Sequence, residues 1–537
     1  MTFSHHNFLE VSKKTLSSDE LLKGLLDFGL FTERIPPCFT SVGLTEFVLH
    51  KMSGLLNETD EKKLKQNIDK CAHDYIRYEA LRDINIPRHI GIPHPEAYAT
   101  QALSIAKHWE EITAHCNKPE PKISRIFVRH ISGGRIFEMN YKGSERYMLE
   151  ELEIQWMAGA NFVVKADIAS CFPSIYSHSI PWALHGKSEA KKSNSITKTG
   201  NLLDKTNQIT RDKQTNGLLI GPHSSNIISE IVLTSIDVEL QKKYKKVFRH
   251  IDDYTFYAET YDEAERFIKD LGMALRVYEM ALNDKKTKIL KLPRPSTENW
   301  IQQLNRFSFP TNGEVKFSIV RSYLDLALEC SQSIKKSTPL NYAIKTLAGK
   351  EVPRELNARA KKMYAQEAIN LALSYPYLVP FLDDFVFTKY PHDGLNEKIS
   401  ELATSLIKLG IRKLYPDTIA HALHFALKYQ LTVNLNESEL CDVIELNDCL
   451  SNALLWEYAS IHAFNKIKKA LKQKSTTILS ECKREQDINW LFIYQLSTSK
   501  VLKDNGQNFL SELKSKNFKF LPSYSKLADA TSQQVLP

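Results

Sequence analysis

Two short stretches decide the fold: residues 161–167, which read NFVVKAD, and residues 250–257, which read HIDDYTFY. The first is a run of apolar and β-branched residues that ends in a carboxylate, a pattern typical of a buried strand. The second has apolar residues on both sides of Asp252 and Asp253 and predicts a hairpin with the two aspartates at its turn. The sequence therefore predicts a small sheet that carries acidic side chains at one end.

The positions of these acidic residues suit the binding of divalent cations. Asp167 closes the first strand, and the interval before Asp252 leaves room for a loop and a helix. Magnesium takes oxygen ligands and often combines one or two carboxylates with phosphates and waters. Nucleotidyl transfer needs two such ions ~3.5–4 Å apart, which bridge the attacking oxygen and the triphosphate. Carboxylates at the ends of adjacent strands can hold both ions.

Hydrophobic patterns divide the rest of the chain into two parts. Residues 1–75 carry amphipathic helical runs, and the strand-like stretches and their connections fill residues 160–290. Beyond them the apolar residues recur at helical spacing almost without interruption. Short connections between successive helices suggest stacked helical pairs, as in an α-solenoid. We therefore predict an α/β (α+β) domain at 1–300 and an all-α helical-repeat domain at 301–537.

Composition excludes several classes of protein. The 537 residues are 42% hydrophobic with a net charge of +8, which permits a nucleic-acid partner without requiring one. The eight cysteines form no C-x-x-C pair, which favours free thiols over a zinc site. No stretch approaches the ~20 apolar residues of a membrane span, and the first residues lack the apolar core of a signal peptide. We expect a cytoplasmic protein without a membrane partner. The polar, lysine-rich stretch 186–216 is interpreted either as a solvated loop or as a nucleic-acid contact.

Four motifs in a fixed order resemble the palm of a reverse transcriptase. They are ADIASCFPSIY at 166–176, GLLIGPHSSN at 217–226, HIDDYTFY at 250–257 and LNDKKTKI at 282–289. More narrowly, SIYSHSIPWALHGKSEAKK at 174–192 and NWLFIYQL at 489–496 are similar to the abortive-infection reverse transcriptases of bacteria, the AbiK type and its relatives on P2-type prophages. The resemblance implies fingers and palm within 1–300 and a HEAT-like repeat domain within 301–537.

Residue by residue, the resemblance implies a metal site and a nucleotide site. The catalytic residues are Asp167, Asp252 and Asp253, and the metal ligands are these three together with Ile168 through its carbonyl. An aromatic ring at Phe172 would lie under the incoming sugar and exclude a 2′-hydroxyl, so we expect deoxynucleotides. The full set of expected nucleotide-binding residues is Phe172, Gly221, Ser225, Lys285, Lys286, Lys288, Arg82 and Arg88.

The resemblance also implies an unusual activity. Abortive-infection enzymes polymerise DNA without a template, starting from a hydroxyl of the protein itself, and protect bacteria against phage. We therefore expect two Mg²⁺ ions, with Mn²⁺ as a substitute, and deoxynucleoside triphosphates as substrates. The expected product is single-stranded DNA attached to the protein, and the expected assembly is a homo-oligomer, a trimer or a hexamer. The priming residue is unknown: a tyrosine would be Tyr75, Tyr78 or a later one, since residues 1–74 contain none.

Two alternatives stay open at this point. One is a conventional reverse transcriptase that copies an RNA or DNA template, as retrons and group II introns do. Against it, the residues after the fourth motif show a helical pattern and no basic thumb. The other is a non-catalytic scaffold that senses a phage component, although the three aspartates are all present.

Overall fold

The computed structural model describes residues 16–83, 86–119, 122–129, 136–138, 144–310, 312–349, 355–522 and 524. The chain forms two compact units. Unit 1 comprises Met1–Thr32, Thr40–Ile76 and Gly91–Arg294, and unit 2 comprises Glu33–Phe39, Arg77–Ile90 and Pro295–Pro537. The sequence predicts one boundary at residue 300, whereas unit 2 also includes two short segments from the amino-terminal part of the chain.

Unit 1 surrounds a small antiparallel sheet with helices. Its helices are α1 Ser18–Phe28, α2 Leu44–Met52, α3 Glu61–Lys70, α4 Pro95–Lys107, α5 Trp109–Cys116, α6 Ser144–Met157, α7 Cys171–Ser174, α8 Ser179–His185, α9 Lys187–Lys192, α10 Thr199–Ile209, α11 His223–Gln241 and α12 Tyr261–Val277. A 3₁₀ helix covers Leu55–Asn57. Its strands are β3 Phe127–Val128, β4 Phe137–Glu138, β5 Phe162–Asp167, β6 Val247–His250, β7 Asp253–Ala258 and β8 Lys288–Lys291. Strands β1 Tyr75–Asp83 and β2 Ile86–Pro93 pair with each other, and segment Arg77–Ile90 of this pair belongs to unit 2.

The sheet that positions the acidic residues has the order β6-β7-β5-β8 within the described part of the chain. Strand β5 pairs with β7 from Phe162 opposite Ala258 to Asp167 opposite Asp253. Strand β7 also pairs with β6, which makes the predicted hairpin, and β8 pairs with the first part of β5. Both predicted strands are present, because the apolar runs at 161–167 and 247–258 are covered on the two faces of the sheet.

Packing on both faces fixes the sheet. Helix α12 lies against β5 and β7, and the ring of its Phe267 stacks on Phe256 with centroids 4.5 Å apart. On the other face, Val163, Phe248 and Tyr257 form a buried cluster. Since neighbouring residues of a strand point to opposite faces, a slip of one residue would exchange these two sets and expose apolar side chains. The register therefore holds Asp167 opposite Asp253.

One segment differs from its sequence-based interpretation as a solvated loop. The polar stretch 186–216 contains helices α9 and α10, and α10 packs against α4 and α8. Its polar side chains have buried partners: Asn207 accepts a hydrogen bond from Gln101 Nε2 at 3.2 Å, and the Thr206 and Ser104 hydroxyls are 2.8 Å apart.

Unit 2 is helical in its described part beyond Arg294. Its helices are α13 Asn299–Arg306, α14 Phe317–Ile334, α15 Thr338–Ala348, α16 Ala358–Ser374, α17 Val379–Leu382, α18 Leu395–Lys413, α19 Pro416–Lys428, α20 Glu437–Glu445, α21 Cys449–Ile461, α22 Asn465–Ser480, α23 Lys483–Ile488, α24 Trp490–Leu496, α25 Ser499–Asp504 and α26 Asn508–Ser515. A 3₁₀ helix covers Pro376–Leu378 and a π-helix covers Asp383–Phe387. Sequential helices pack as neighbours, α18 on α19 and α25 on α26. The HEAT-like repeat stays a prediction.

Aliphatic side chains form the core of unit 2, as the helical spacing predicts. Leu402 and Leu406 of α18 are buried, as is Leu423 of α19. Among the described residues, no helix is both long and apolar enough to cross a membrane.

Candidate active site

The three predicted aspartates meet at one end of the sheet. Asp167 is the last residue of β5 and Asp253 the first of β7, and the two are register partners. Asp252 lies in the turn of the β6–β7 hairpin, and its carbonyl accepts a hydrogen bond from the Ile168 amide at 3.1 Å. The turn is therefore attached to the residue that follows β5, and residues far apart in sequence form one acidic group.

Like charges converge in this group. Partial burial raises the pKa of the Asp253 carboxyl to about 6, and the negative charges of Asp252 and Asp167 reinforce the shift. The Lys286 ammonium group acts in the opposite direction. Carboxylates that share a site favour either a proton or a cation between them. The arrangement is therefore suited to positively charged ligands.

Two side chains from the segment before β8 bind Asp167 directly. Asn283 Nδ2 donates to Asp167 Oδ1 at 2.8 Å, and Lys286 Nζ is 2.7 Å from Asp167 Oδ2. The Asn283 amide also donates to the Asp167 carbonyl at 2.8 Å. The Lys286 side chain is 63% exposed, so its ammonium group reaches Asp167 from the solvent side. Of the three lysines expected to bind the nucleotide, the structure brings Lys286 to the acidic group.

The donor set fits hard divalent cations. Carboxylate oxygens of Asp167, Asp252 and Asp253 are ligands that Mg²⁺ and Mn²⁺ accept, and no thiol or imidazole is needed. The Ile168 carbonyl stays a predicted ligand. When bound, such ions polarise a phosphate and lower the pKa of an attacking hydroxyl. The protein holds Asp167 and Asp253 on adjacent strands and Asp252 in the hairpin turn, and Asn283 and Lys286 both bind the Asp167 carboxylate.

Residues 122–338 match the family model described as reverse transcriptase (RNA-dependent DNA polymerase). The chain carries a reverse-transcriptase-like polymerase domain. The matched residues include the acidic group, Asn283 and Lys286, and they continue past the end of unit 1 into α13 and α14. No curated protein matches the sequence.

Solved telomerase structures are similar to the chain at low identity. Apo telomerase from Candida tropicalis aligns with 10% identity and a TM-score of 0.30, over 70% of this chain and 68% of that one. A form truncated from the C-terminal domain aligns with 10% identity and a TM-score of 0.30, over 48% of this chain and 57% of that one. Telomerase from Candida albicans in complex with a telomeric RNA fragment aligns with 10% identity and a TM-score of 0.28, over 70% and 68% of the two chains.

The second motif of the reverse-transcriptase domain lies against the first. The Leu218 amide donates to the Phe172 carbonyl at 2.7 Å, and the Gly217 amide donates to the Ile175 carbonyl at 2.8 Å. Phe172 lies in α7 and is half-buried. Gly221 has φ +135°, a backbone conformation that favours glycine, just before helix α11 begins at His223. The backbone around Phe172 is thus hydrogen-bonded to the residues that lead into the glycine turn.

The other residues predicted to bind the nucleotide lie on helix α11, in or just before strand β8, and in the β1–β2 pair. Ser225 is buried in the first turn of α11, and its amide donates to the Pro222 carbonyl. Lys285 is exposed, and Lys288 is exposed at the start of β8. Arg82 and Arg88 belong to segment Arg77–Ile90 of unit 2, whereas the acidic group belongs to unit 1. A role for these residues in nucleotide binding stays a prediction.

Sequence reasoning missed two residues that contact the acidic group or the turn that carries it. Asn283 stands in the quoted LNDKKTKI motif, but only its lysines were considered. Arg249, three residues before Asp252, is wholly buried and bound to Glu230 and Asp237 of α11. The available signal was a charged residue at an inward position of a strand that begins with Val247 and Phe248, and such a residue requires a buried partner.

A second cluster of ligand-type side chains lies elsewhere in unit 1. His73, His94 and Glu96 have potential ligand atoms within 4.8 Å of one another. The two imidazole rings stack with centroids 3.6 Å apart and planes inclined by 12°. A metal lies near the plane of each imidazole that binds it, so two nearly parallel rings cannot both point at one ion. The Glu96 carboxylate instead binds His73 Nε2 at 3.0 Å, and the His94 ring caps helix α4 by accepting a hydrogen bond from the Glu96 amide.

Proposed function

We propose that the chain is a DNA polymerase that uses two divalent cations held by Asp167, Asp252 and Asp253. The observation that carries the proposal is the convergence of these carboxylates at one end of the sheet, inside the segment that matches the reverse-transcriptase family. In the proposed reaction a hydroxyl oxygen bonds to the α-phosphorus of a deoxynucleoside triphosphate. The bond to the β-phosphate oxygen breaks, and pyrophosphate leaves.

Each neighbouring residue has a part in this proposal. Lys286, whose side chain is 63% exposed, supplies positive charge where negative charge develops on the leaving pyrophosphate. Asn283 fixes the Asp167 carboxylate through a hydrogen bond of 2.8 Å. The Phe172 ring selects deoxyribose, and the loop from Gly217 to Gly221 supports the nucleotide. Mg²⁺ is the proposed metal, with Mn²⁺ as a substitute.

We further propose that synthesis needs no template, starts from a hydroxyl of the protein and serves defence against phage. The support is the similarity of residues 174–192 and 489–496 to abortive-infection enzymes, together with the helical unit that follows β8. Cytoplasmic location and assembly as a trimer or hexamer belong to the same proposal. Light scattering of the purified protein measures the subunit number.

Template copying is the second candidate function. The matched family is described as an RNA-dependent DNA polymerase, and the match extends beyond β8 into α13 and α14. Any assay of activity must therefore include a reaction with a primer–template.

The test incubates the purified full chain with labelled deoxynucleotides and Mg²⁺, with and without a primer–template. Products are separated on a denaturing gel before and after protease treatment. We expect a labelled ladder attached to the protein without template, and its loss in Asp252→Ala. Product only with primer–template would establish the second candidate. Two results together would contradict both candidate functions: no product from folded protein with or without the primer–template, and phage protection that survives Asp253→Ala. They would leave the non-catalytic scaffold as the remaining hypothesis.

A further inference from the structure

A buried charged network lies directly behind the turn that carries Asp252. Arg249 of β6 is wholly buried, and its Nε donates to both carboxylate oxygens of Asp237 at 3.0 and 3.1 Å. Its Nη2 donates to Asp237 Oδ2 at 2.7 Å and to Glu230 Oε2 at 3.1 Å, and its Nη1 donates to Glu230 Oε1 at 2.8 Å. The Tyr254 hydroxyl donates to Asp237 at 2.8 Å. Two carboxylates thus hold the guanidinium group in one orientation.

The last donor of Arg249 reaches the turn itself. Nη1 also donates to the Ile251 carbonyl at 2.9 Å. Ile251 has φ +55°, a left-handed conformation that a β-branched residue rarely adopts. The next carbonyl, that of Asp252, accepts from the Ile168 amide. Two successive carbonyls are therefore held, one by Arg249 and one by the residue after Asp167.

Arg249 is also fixed through its backbone. Its amide donates to the Ile123 carbonyl, and its carbonyl accepts from the Arg125 amide, both at 2.9 Å. Ser124, between these two residues, donates from its hydroxyl to Glu230 Oε2 at 2.9 Å. The segment beside β6 therefore secures both Arg249 and one of its carboxylate partners.

A network of this kind is a poor means of general stabilisation. Removing a guanidinium group and two carboxylates from water carries a large desolvation cost, and apolar residues of equal volume often stabilise a core as well or better. Apolar residues could not donate a hydrogen bond to Ile251. The specific result of the network is a fixed, strained turn directly before the two aspartates.

We propose that Arg249 is a positioning residue for the metal site, acting through the Ile251 carbonyl to hold Asp252 and Asp253 in their binding orientation. Glu230 and Asp237 keep the guanidinium group aimed at that carbonyl. The inference rests on the proposed function, because it concerns how the same carboxylates are held.

The test measures Mn²⁺ binding to the full chain by electron paramagnetic resonance, without nucleotide. Arg249→Lys keeps the charge but cannot make the same set of hydrogen bonds, and we expect it to weaken Mn²⁺ binding about tenfold, the usual effect of losing a residue that supports a ligand. Tyr254→Phe is the matched control: it removes a hydrogen bond from the same network and leaves the Ile251 contact in place. We expect its Mn²⁺ affinity to equal that of the wild type. Circular dichroism establishes that each variant is folded.

The outcomes separate this inference from the proposed function. Unchanged Mn²⁺ affinity in folded Arg249→Lys, or an equal loss in Tyr254→Phe, would overturn the positioning role and leave the metal site standing. Equal Mn²⁺ binding by the wild type and Asp252→Asn would overturn the metal site, and the positioning role with it. If Arg249→Lys does not fold, Glu230→Gln replaces it as the test variant. This substitution keeps the side-chain volume and weakens the interaction with the Arg249 guanidinium group. We expect weaker Mn²⁺ binding from it, and an unchanged affinity would overturn the inference.

Discussion

At the scale of single residues, Phe172 offers a direct test of sugar selection. Its carbonyl accepts the Leu218 amide at 2.7 Å, so the backbone stays anchored when the ring is removed. We expect Phe172→Ala to reduce the preference for deoxynucleotides over ribonucleotides on the order of tenfold or more, because a steric barrier to the 2′-hydroxyl is lost. The ratio of kcat/KM for the two substrates measures this preference.

A matched control for that substitution lies on β5, the strand that ends at Asp167. Phe162 is half-buried at the opposite end of β5 from Asp167, with its ring edge-on to Tyr261 at 5.6 Å. Phe162→Ala loses an equal volume, and we expect it to leave the sugar preference intact. An unchanged preference in Phe172→Ala would rule out the sugar-selecting role.

The three lysines of the fourth motif are distinguished by their contacts. Lys286 Nζ lies 2.7 Å from Asp167, whereas Lys285 and Lys288 are exposed alternatives in the same segment. We expect Lys286→Ala to lower kcat/KM for deoxynucleotides about 100-fold, a usual cost of losing a group that stabilises developing charge. Lys285→Ala and Lys288→Ala serve as matched controls with near-normal rates. A larger effect at either control position would assign the role to that lysine.

At the scale of elements, the loop before α11 depends on Gly217. Its φ is +85°, and a Cβ there would lie 2.8 Å from the Pro173 carbonyl oxygen. Gly159 has a similar φ of +78° but open space around it, which makes it the control. We expect Gly159→Ala to lower the free energy of unfolding by about 1 kcal/mol from backbone strain alone, and Gly217→Ala by roughly 1–3 kcal/mol more. Urea unfolding of the two variants measures the difference, and equal losses would contradict the packing argument.

The junction between the π-helix and α19 makes unit 2 sensitive to acid. Burial raises the pKa of Asp383, but hydrogen bonds from Lys428 and Tyr429, with the His424 imidazole 3.6 Å away, outweigh it and hold that pKa well below its usual range. The resulting stabilisation is present above the unfolded pKa of ~3.9 and is lost as the pH falls below about 4. We expect Asp383→Asn to lower the free energy of unfolding by about 2 kcal/mol at pH 7, with a smaller difference at pH 3.5.

Urea unfolding at the two pH values measures that difference. The neighbouring Asp384 is exposed, so Asp384→Asn is the control and should unfold as the wild type does at both. If the free energy of unfolding of Asp383→Asn differed from that of the wild type by the same amount at pH 7 and pH 3.5, the lowered pKa of Asp383 would not be the source of the acid sensitivity.

Local patterns predicted the strands that carry the acidic group, because a buried strand requires a run of apolar residues that is visible in the sequence. The run FVVKAD and the apolar residues around Asp252 and Asp253 gave β5 and the β6–β7 hairpin. Helix α10 was missed, since the side chains that hold it, such as Asn207 and Thr206, are polar and find their partners on α4. Arg249 was missed for a similar reason: its position in β6 indicates a buried partner, but the carboxylates that bind it lie on α11, which the pattern of β6 does not identify.

At the scale of the whole molecule, the set of chain segments that make up unit 2 is the feature that local sequence patterns predict least well. The sequence predicts a helical domain that begins at 301, yet Glu33–Phe39 and Arg77–Ile90 also belong to unit 2. Within this unit the Tyr78 hydroxyl donates to Asp417 Oδ1 at 2.6 Å, and the Leu81 amide donates to Asp417 Oδ2 at 3.0 Å. Asp417 lies in the first turn of α19 and is only 2% exposed. Tyr78 and Leu81, from the amino-terminal part of the chain, thus supply hydrogen bonds to a buried carboxylate at the start of α19.

A fragment limited to residues 295–537 should therefore be incomplete around α19. It lacks both donors to Asp417, and a buried carboxylate that loses its hydrogen bonds destabilises the fold around it. We expect amide hydrogens of Pro416–Lys428 to exchange at least about tenfold faster in the fragment than in the full chain, which reflects a local opening made easier by the missing contacts. Helix α26, which packs against α25, is the internal control and should exchange at similar rates in both proteins. Equal protection of Pro416–Lys428 in fragment and full chain would show that the upstream segments contribute little. It would also make residues 295–537 a unit that folds without them.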